Sequence, residues 1–274
     1  MHYRVLTVLA LACAMTAFSL SSTKAAGKAC APFSFGGYSY TICSAPLNRF
    51  SIKLLWRRPD GKPYNYLSAL PARNAQGESI SFAFNGGMYD PDYKPVGLYV
   101  ENGEQFVAAN TRPGAGNFHL KPNGIFYVKG REAGVMETAA FLRKKLRPDF
   151  ATQSGPMLVV DGELNRRIAG AAISKKRRDG VCVQDGRVVF AISEAGTPFG
   201  AFARLFRDGL KCRNALFLDG GSAPALFFPA GAMTGNTFVA LGPMIAAYEK
   251  PWRFSPASLK LFNLKVNVHE EVGR

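Results

Sequence analysis

Short apolar runs separated by turn dipeptides dominate the chain, and helical periodicity is scarce. Val96-Gly97-Leu98-Tyr99-Val100 and Gln105-Phe106-Val107-Ala108 flank Glu101-Asn102-Gly103-Glu104. Val181-Cys182-Val183 and Arg187-Val188-Val189-Phe190-Ala191-Ile192 flank Gln184-Asp185-Gly186. Asn-Gly and Asp-Gly tolerate the positive φ that tight hairpins require, so each pattern predicts a hairpin. Pro156 to Val160 runs into Asp161-Gly162, and Asp60-Gly61, Asn123-Gly124 and Asp179-Gly180 read as further turns. Ala215-Leu216-Phe217-Leu218 is too short for a helix and predicts a buried strand that delivers the loop Asp219-Gly220-Gly221-Ser222. Two helices are expected. One starts at Thr197-Pro198, an N-cap and first-turn pair, carries Phe199, Phe202, Ala203 and Phe206 at helical spacing, and stops near Asp208-Gly209. The other runs from Thr138 to Lys145 and is closed by Pro148. The predicted class is α+β: a mixed, largely antiparallel sheet rich in hairpins, with a few packed helices, in a single domain.

The first 25 residues stand apart from this pattern. Arg4 precedes an apolar or small stretch from Val5 to Leu20, and Thr23-Lys24-Ala25 supplies small residues at a cleavage site. That is the build of a secretory signal, and Ser19, Ser21, Ser22 and Thr23 dilute the run below the ~20 apolar residues of a membrane span. Residues 1–25 are therefore expected to be a leader and residues 26–274 the domain. The expected location is periplasmic or secreted, with no transmembrane anchor after cleavage. Cys30, Cys43, Cys182 and Cys212 then suit an oxidising compartment. Pairing by proximity gives Cys30–Cys43 and Cys182–Cys212, one of three connectivities.

Composition adds a sign. The 274 residues carry 34 Lys and Arg against 19 Asp and Glu, a net charge of +15. Such a surface favours anionic partners. Nucleic acid is not the expected one, because the aromatics sit in apolar strands and an exported protein meets little of it. With three histidines and no Cys-x-x-Cys pair, a zinc site is not expected, and no Gly-x-Ser-x-Gly elbow accompanies His119.

Three segments share one form, an apolar strand beside a loop of small residues with one polar side chain. They are Phe84-Asn85-Gly86-Gly87-Met88-Tyr89, Gln153-Ser154-Gly155-Pro156 and Phe217-Leu218-Asp219-Gly220-Gly221-Ser222. Glycines there permit positive φ and close approach of a ligand to backbone amides, although ordinary tight turns explain each loop alone. Asp219 closes an apolar run, so its carboxylate is expected to be buried and either paired or held for chemistry. Glu194 ends another strand, and two such carboxylates suit acid/base or nucleophile/base work on a glycoside. Its plainer reading is a surface acid before Thr197. Of the run Lys175-Lys176-Arg177-Arg178, mostly a solvated face, one arginine is expected to enter a site and fork a phosphate. Ser154 and Ser222 lack a histidine base and read as hydroxyl ligands or turn formers.

These loops, with Lys121-Pro122-Asn123-Gly124-Ile125-Phe126 and the Arg178-Asp179-Gly180 segment, make the chain resemble the phosphodiester glycosidase family, in order from about Ile80 to Phe228. The resemblance implies an α+β fold and hydrolysis between a sugar's anomeric carbon and a phosphodiester oxygen. It places Asn85, Ser154, Arg178, Glu194 and Asp219 in the pocket. On that basis Arg178 and the amides of Gly86, Gly87, Gly155, Gly220 and Gly221 with Ser222 hold the phosphate. Asn85 and Asn123 bond sugar hydroxyls, and Asp219 or Glu194 activates water or stabilises an oxocarbenium-like state. The expected partner is an anionic sugar-phosphate or envelope glycan, and a non-catalytic binder of such glycans is the alternative. No cofactor is expected; calcium is left open, since Asp219, Asn85 and backbone carbonyls could hold it, but no dense acidic loop demands it.

Overall fold

In the computed structural model the described residues are 29–170, 174–229, 233–235 and 238–251. The expected leader over residues 1–25 lies outside them. In chain order the strands are β1 (Cys30–Phe35), β2 (Tyr38–Pro46), β3 (Phe50–Leu55), β4 (Ser79–Asn85), β5 (Tyr99–Glu101), β6 (Glu104–Val107), β7 (Gly124–Lys129) and β8 (Glu132–Glu137). Helix α1 (Thr138–Lys144) leads to β9 (Phe150–Ser154), β10 (Met157–Val160), β11 (Glu163–Leu164) and α2 (Arg166–Ala169). Then come β12 (Arg178–Gln184), β13 (Arg187–Ser193), α3 (Phe199–Arg204), β14 (Ala215–Gly220), β15 (Ala225–Phe227), β16 (Met233–Gly235) and β17 (Met244–Glu249).

Among the described residues three sheets form, in the orders β1-β2-β13-β12-β14-β10-β11, β16-β15-β4-β17-β3 and β6-β5-β9-β7-β8. Every pairing among them is antiparallel, with a few short helices alongside, so the α+β expectation holds. The hairpins form where the turn dipeptides place them. Asn102-Gly103, Asp161-Gly162 and Asp185-Gly186 all hold positive φ at both residues, between β5 and β6, β10 and β11, and β12 and β13. Two dipeptides are not turns. Asn123-Gly124 opens β7, and Asp179-Gly180 lies within β12, where Val181 and Val183 continue the strand's alternation.

Both helices are present with altered ends. α1 stops at Lys145, which takes a left-handed conformation and donates its N–H to Leu142 O. α3 passes into a π-helical turn over Leu205–Gly209, and Thr197 does not cap it: its hydroxyl donates to Ala195 O. Cys30–Cys43 and Cys182–Cys212 are bonded as proximity suggested.

The sheet faces pack on one another through aromatics. Phe82, Phe84, Phe126 and Phe190, all at most 1% exposed, meet in the main core, with Phe84 stacked on Phe190 at 5.1 Å. Burying each such side chain contributes about 2–3 kcal/mol. A second layer forms on the other face of the seven-stranded sheet, where Phe199, Phe202 and Phe206 pack on Phe217 and Tyr40. β12 and β14 are thus covered on both sides, and their ends carry polar groups into a nearly dry setting.

Candidate active site

The three glycine loops converge. Thr152 of β9 donates its hydroxyl to Gly86 O at 2.7 Å, and Ser154 donates to Leu218 O at 2.8 Å, so β9 ties the loops after β4 and β14 together. Gly86 closes on β17 by donating its N–H to Pro243 O.

The pairing of β12 with β14 then decides which side chains meet. Asp179 lies opposite Asp219, whereas Gly180 lies opposite Phe217, so Leu218 is an extra residue on β14. This bulge turns Asp219 onto the face of Asp179, where regular alternation would send it the other way. Asp179 is fully buried. Its Oδ1 accepts the backbone N–H of Asp219 at 2.9 Å and faces the Asn85 amide at 3.4 Å. Its Oδ2 and Asn85 Oδ1 are buried without a hydrogen-bond partner among the described residues. Asp219 is half-buried, and its Oδ1 accepts the Gly220 N–H at 2.7 Å.

Two facing carboxylates in such surroundings resist double ionisation. Burial, and then the nearby Asp219, hold the Asp179 carboxyl well above the usual carboxylate range. Burial raises Asp219 to about 7, against a smaller opposing pull from the Gly220 N–H. The arrangement sets two acidic side chains of unequal surroundings opposite each other, Asp179 in the interior and Asp219 half-buried. Pairs of this kind serve as proton acceptors and donors in hydrolysis.

The other sequence-chosen residues fall elsewhere. The carboxylate facing Asp219 is Asp179, not Glu194, which is exposed at the end of β13, accepts from the Thr41 hydroxyl and lies 3.6 Å from Arg177. Arg178 alternates with Asp179 and so leaves β12 on the opposite face. It is 2% exposed, donates Nε to Thr197 O and Nη2 to Ser174 O, and lies 4.0 Å above the Phe199 ring. Burial lowers its pKa to about 10. Its contacts are those of a brace between β12 and the segment before α3, not of a phosphate fork beside Asp219.

Asn123 is likewise engaged, donating to Phe118 O and accepting from Lys121 Nζ. The amides of Gly86, Gly220 and Gly221 are taken by Pro243 O, Asp219 Oδ1 and Arg177 O, so these three do not form an open anion nest. Close packing explains Gly86 and Gly155: a Cβ would lie 2.9 Å from Met244 N in the first and 2.7 Å from Phe118 O in the second. Gly87 has φ +129° and rests on Thr152 and Ser154, while Ser222 is exposed. Among the described residues no group of three or more His, Cys, Asp and Glu side chains is placed to hold a metal ion.

Asp179 was missed because Arg-Asp-Gly imitates turn chemistry. The signal that finds it is the alternation of Asp179, Val181 and Val183 on one face of a strand.

Comparison with known proteins gives the family: residues 78–244 match the phosphodiester glycosidase model, and the chain belongs to that family. It is 42% identical over 184 residues to the uncharacterized protein YigE of Escherichia coli strain K12, covering 66% of this chain and 71% of that protein. Its fold is similar to the catalytic domain of zebrafish N-acetylglucosamine-1-phosphodiester alpha-N-acetylglucosaminidase, auto-inhibited by pro-peptide. The TM-score is 0.56 at 14% identity, covering 81% of this chain and 82% of that one.

Proposed function

We propose that this protein is an exported hydrolase that cleaves the bond between a sugar's anomeric carbon and a phosphodiester oxygen in an anionic envelope glycan or glycoconjugate. The observation that carries the reading is the Asp179–Asp219 pair, opposite each other across β12 and β14, with Asp179 fully buried, Asp219 half-buried, and the Asp179 Oδ2 and Asn85 Oδ1 atoms without a hydrogen-bond partner among the described residues. Family membership supports the reaction class, and the net charge of +15 and two disulfides support an anionic substrate met outside the cytoplasm.

In this reading Asp219 works ionised. It takes a proton from water as the oxygen bonds to the anomeric carbon and the carbon–oxygen bond to the phosphate breaks. The phosphodiester departs as a weak base and needs little help from an acid. Asp179 stays protonated through burial and keeps negative charge from accumulating beside Asp219. Asn85 positions Asp179 and offers its free oxygen to a substrate hydroxyl.

The test is release of free sugar from a panel of sugar 1-phosphodiesters by the purified mature protein and by Asp219→Asn. Turnover by wild type and its loss by more than a hundredfold in the variant, with binding retained, supports the assignment. No turnover by wild type with tight glycan binding retained leaves a binding protein and overturns it.

A further inference from the structure

Next to the carboxyl pair, the chain holds a bulky aromatic residue in a conformation that disfavours it. Tyr93 has φ +60°, a left-handed backbone that Gly or Asn adopts readily and tyrosine does not. A short loop enforces it. Asp90 N–H donates to Lys94 O, Tyr93 N–H donates to Asp90 O, and the Asp90 carboxylate accepts from the amides of Asp92 and Lys94. A bridge between Tyr89 and Pro95 closes the base. Strain of this kind persists where the surroundings over-determine it, and ligand clamps are a common place for it.

The strained turn lays the Tyr93 ring against Tyr89, with centroids 5.8 Å apart and planes inclined by 30°. Tyr89 is itself fixed. Its hydroxyl donates to Ala240 O at 3.0 Å, and Gly242 packs so closely that a Cβ there would lie 2.5 Å from the Tyr89 Cβ and 2.7 Å from Tyr93 O. Both rings stay half-exposed. Tyr89 lies on the loop that leaves β4 directly after Asn85, whose amide faces Asp179 at 3.4 Å, and Asp219 and Asp179 add to the burial that pushes the Tyr89 hydroxyl up to about 12. A rigid, half-open pair of electron-rich rings therefore borders the carboxyl pair. The negative face of such a ring attracts the weakly positive C–H groups of an otherwise polar molecule, and a sugar ring presents a face of them.

We propose that Tyr89 and Tyr93 form a carbohydrate-stacking platform beside the Asp179–Asp219 pair, seating the sugar ring of a sugar-phosphate ester by its apolar C–H face. The platform rests on the glycosidase reading for its substrate class, and it assigns sugar recognition to stacking on the loop over residues 89–95.

Saturation-transfer NMR tests it, with hexose and N-acetylhexosamine 1-phosphates and their methyl phosphodiesters as probes. The proteins are wild type, Tyr93→Phe, Tyr93→Gly and Tyr93→Asn. Gly and Asn accept φ +60° but remove the ring, so their melting temperatures should hold or rise while sugar affinity falls by about tenfold. Tyr93→Phe, which keeps the ring, should bind as wild type does. Equal affinity in Tyr93→Gly, or no sugar binding by wild type, overturns the platform. Turnover in parallel separates the two ideas. Sugar bound through Tyr93 without hydrolysis sinks the glycosidase reading and leaves the platform. Hydrolysis with an unchanged KM in Tyr93→Gly and Tyr93→Asn sinks the platform and leaves the glycosidase.

Discussion

Asp219 couples stability to pH in a direction opposite to that of a salt-bridged carboxylate. Its folded pKa of about 7 lies above the unfolded value near 4, so between these values the folded chain holds a proton that the unfolded chain has lost. Stability from this group is complete below about pH 4 and falls as pH rises through 7, by a few kcal/mol in all. Thermal melts at pH 5 and pH 8 should show the protein more stable at pH 5, and Asp219→Asn should flatten the difference. The kcat/KM of wild type should rise through about pH 7 as Asp219 ionises, if the glycosidase reading holds. Gln153, 2% exposed, acts differently. Its Oε1 accepts the amides of Leu98 and Asn110, and its Nε2 donates to Asn110 O, with Thr138 Oγ1 at 3.4 Å. Gln153→Leu leaves two backbone amides and a carbonyl without this partner, a loss of about 2–4 kcal/mol. Urea unfolding should register that loss, and amide exchange should quicken first at Leu98 and Asn110.

At the scale of elements, the site depends on one inserted residue in β14 and on close backbone packing after β4. Gly86→Ala drives a Cβ into Met244 N and Pro243 C, both at 2.9 Å, and displaces the end of β4 that carries Asn85. Gly221→Ala meets open space and bears only the cost of φ +81°, about 1 kcal/mol. Gly86→Ala should therefore lose several degrees of melting temperature more than Gly221→Ala. The same elements show what a sequence reader can reach. The β12–β13 hairpin is legible because Asp185-Gly186 fixes both its turn and its register, and the buried run of β14 is legible from four apolar residues. Local chemistry does not reveal that β13 also pairs with β2, Ile42 opposite Ala191, since nothing near either strand specifies so distant a partner. Nor does it reveal the bulge at Leu218. Asn85 and Asp219 could be chosen as ends of apolar strands, whereas Asp179 acquires its meaning only from the strand laid opposite it.

For the whole molecule, the two disulfides make a comparison that separates stability from the site. Cys182 lies in β12, which carries Asp179, and Cys212 precedes β14, which carries Asp219; both are buried. Cys30–Cys43 staples β1 to β2 at the edge of the same sheet. The bonded residues are 30 and 13 apart in sequence, and loop entropy grows only with the logarithm of that length. The bonds should then contribute about 3 kcal/mol each, differing by roughly 0.7 kcal/mol. Urea unfolding of Cys182→Ala/Cys212→Ala and of Cys30→Ala/Cys43→Ala should show losses of similar size. The consequences for the site should differ, because only the first pair fixes the strands that bring the two aspartates together. At a temperature where both variants are fully folded, the β12 pair should shift the pH midpoint assigned to Asp219 towards the ordinary carboxylate range as the loosened strands let water reach its carboxyl. The β1–β2 pair should leave that midpoint near 7. An unchanged midpoint in both variants would mean that strand pairing alone keeps Asp219 buried.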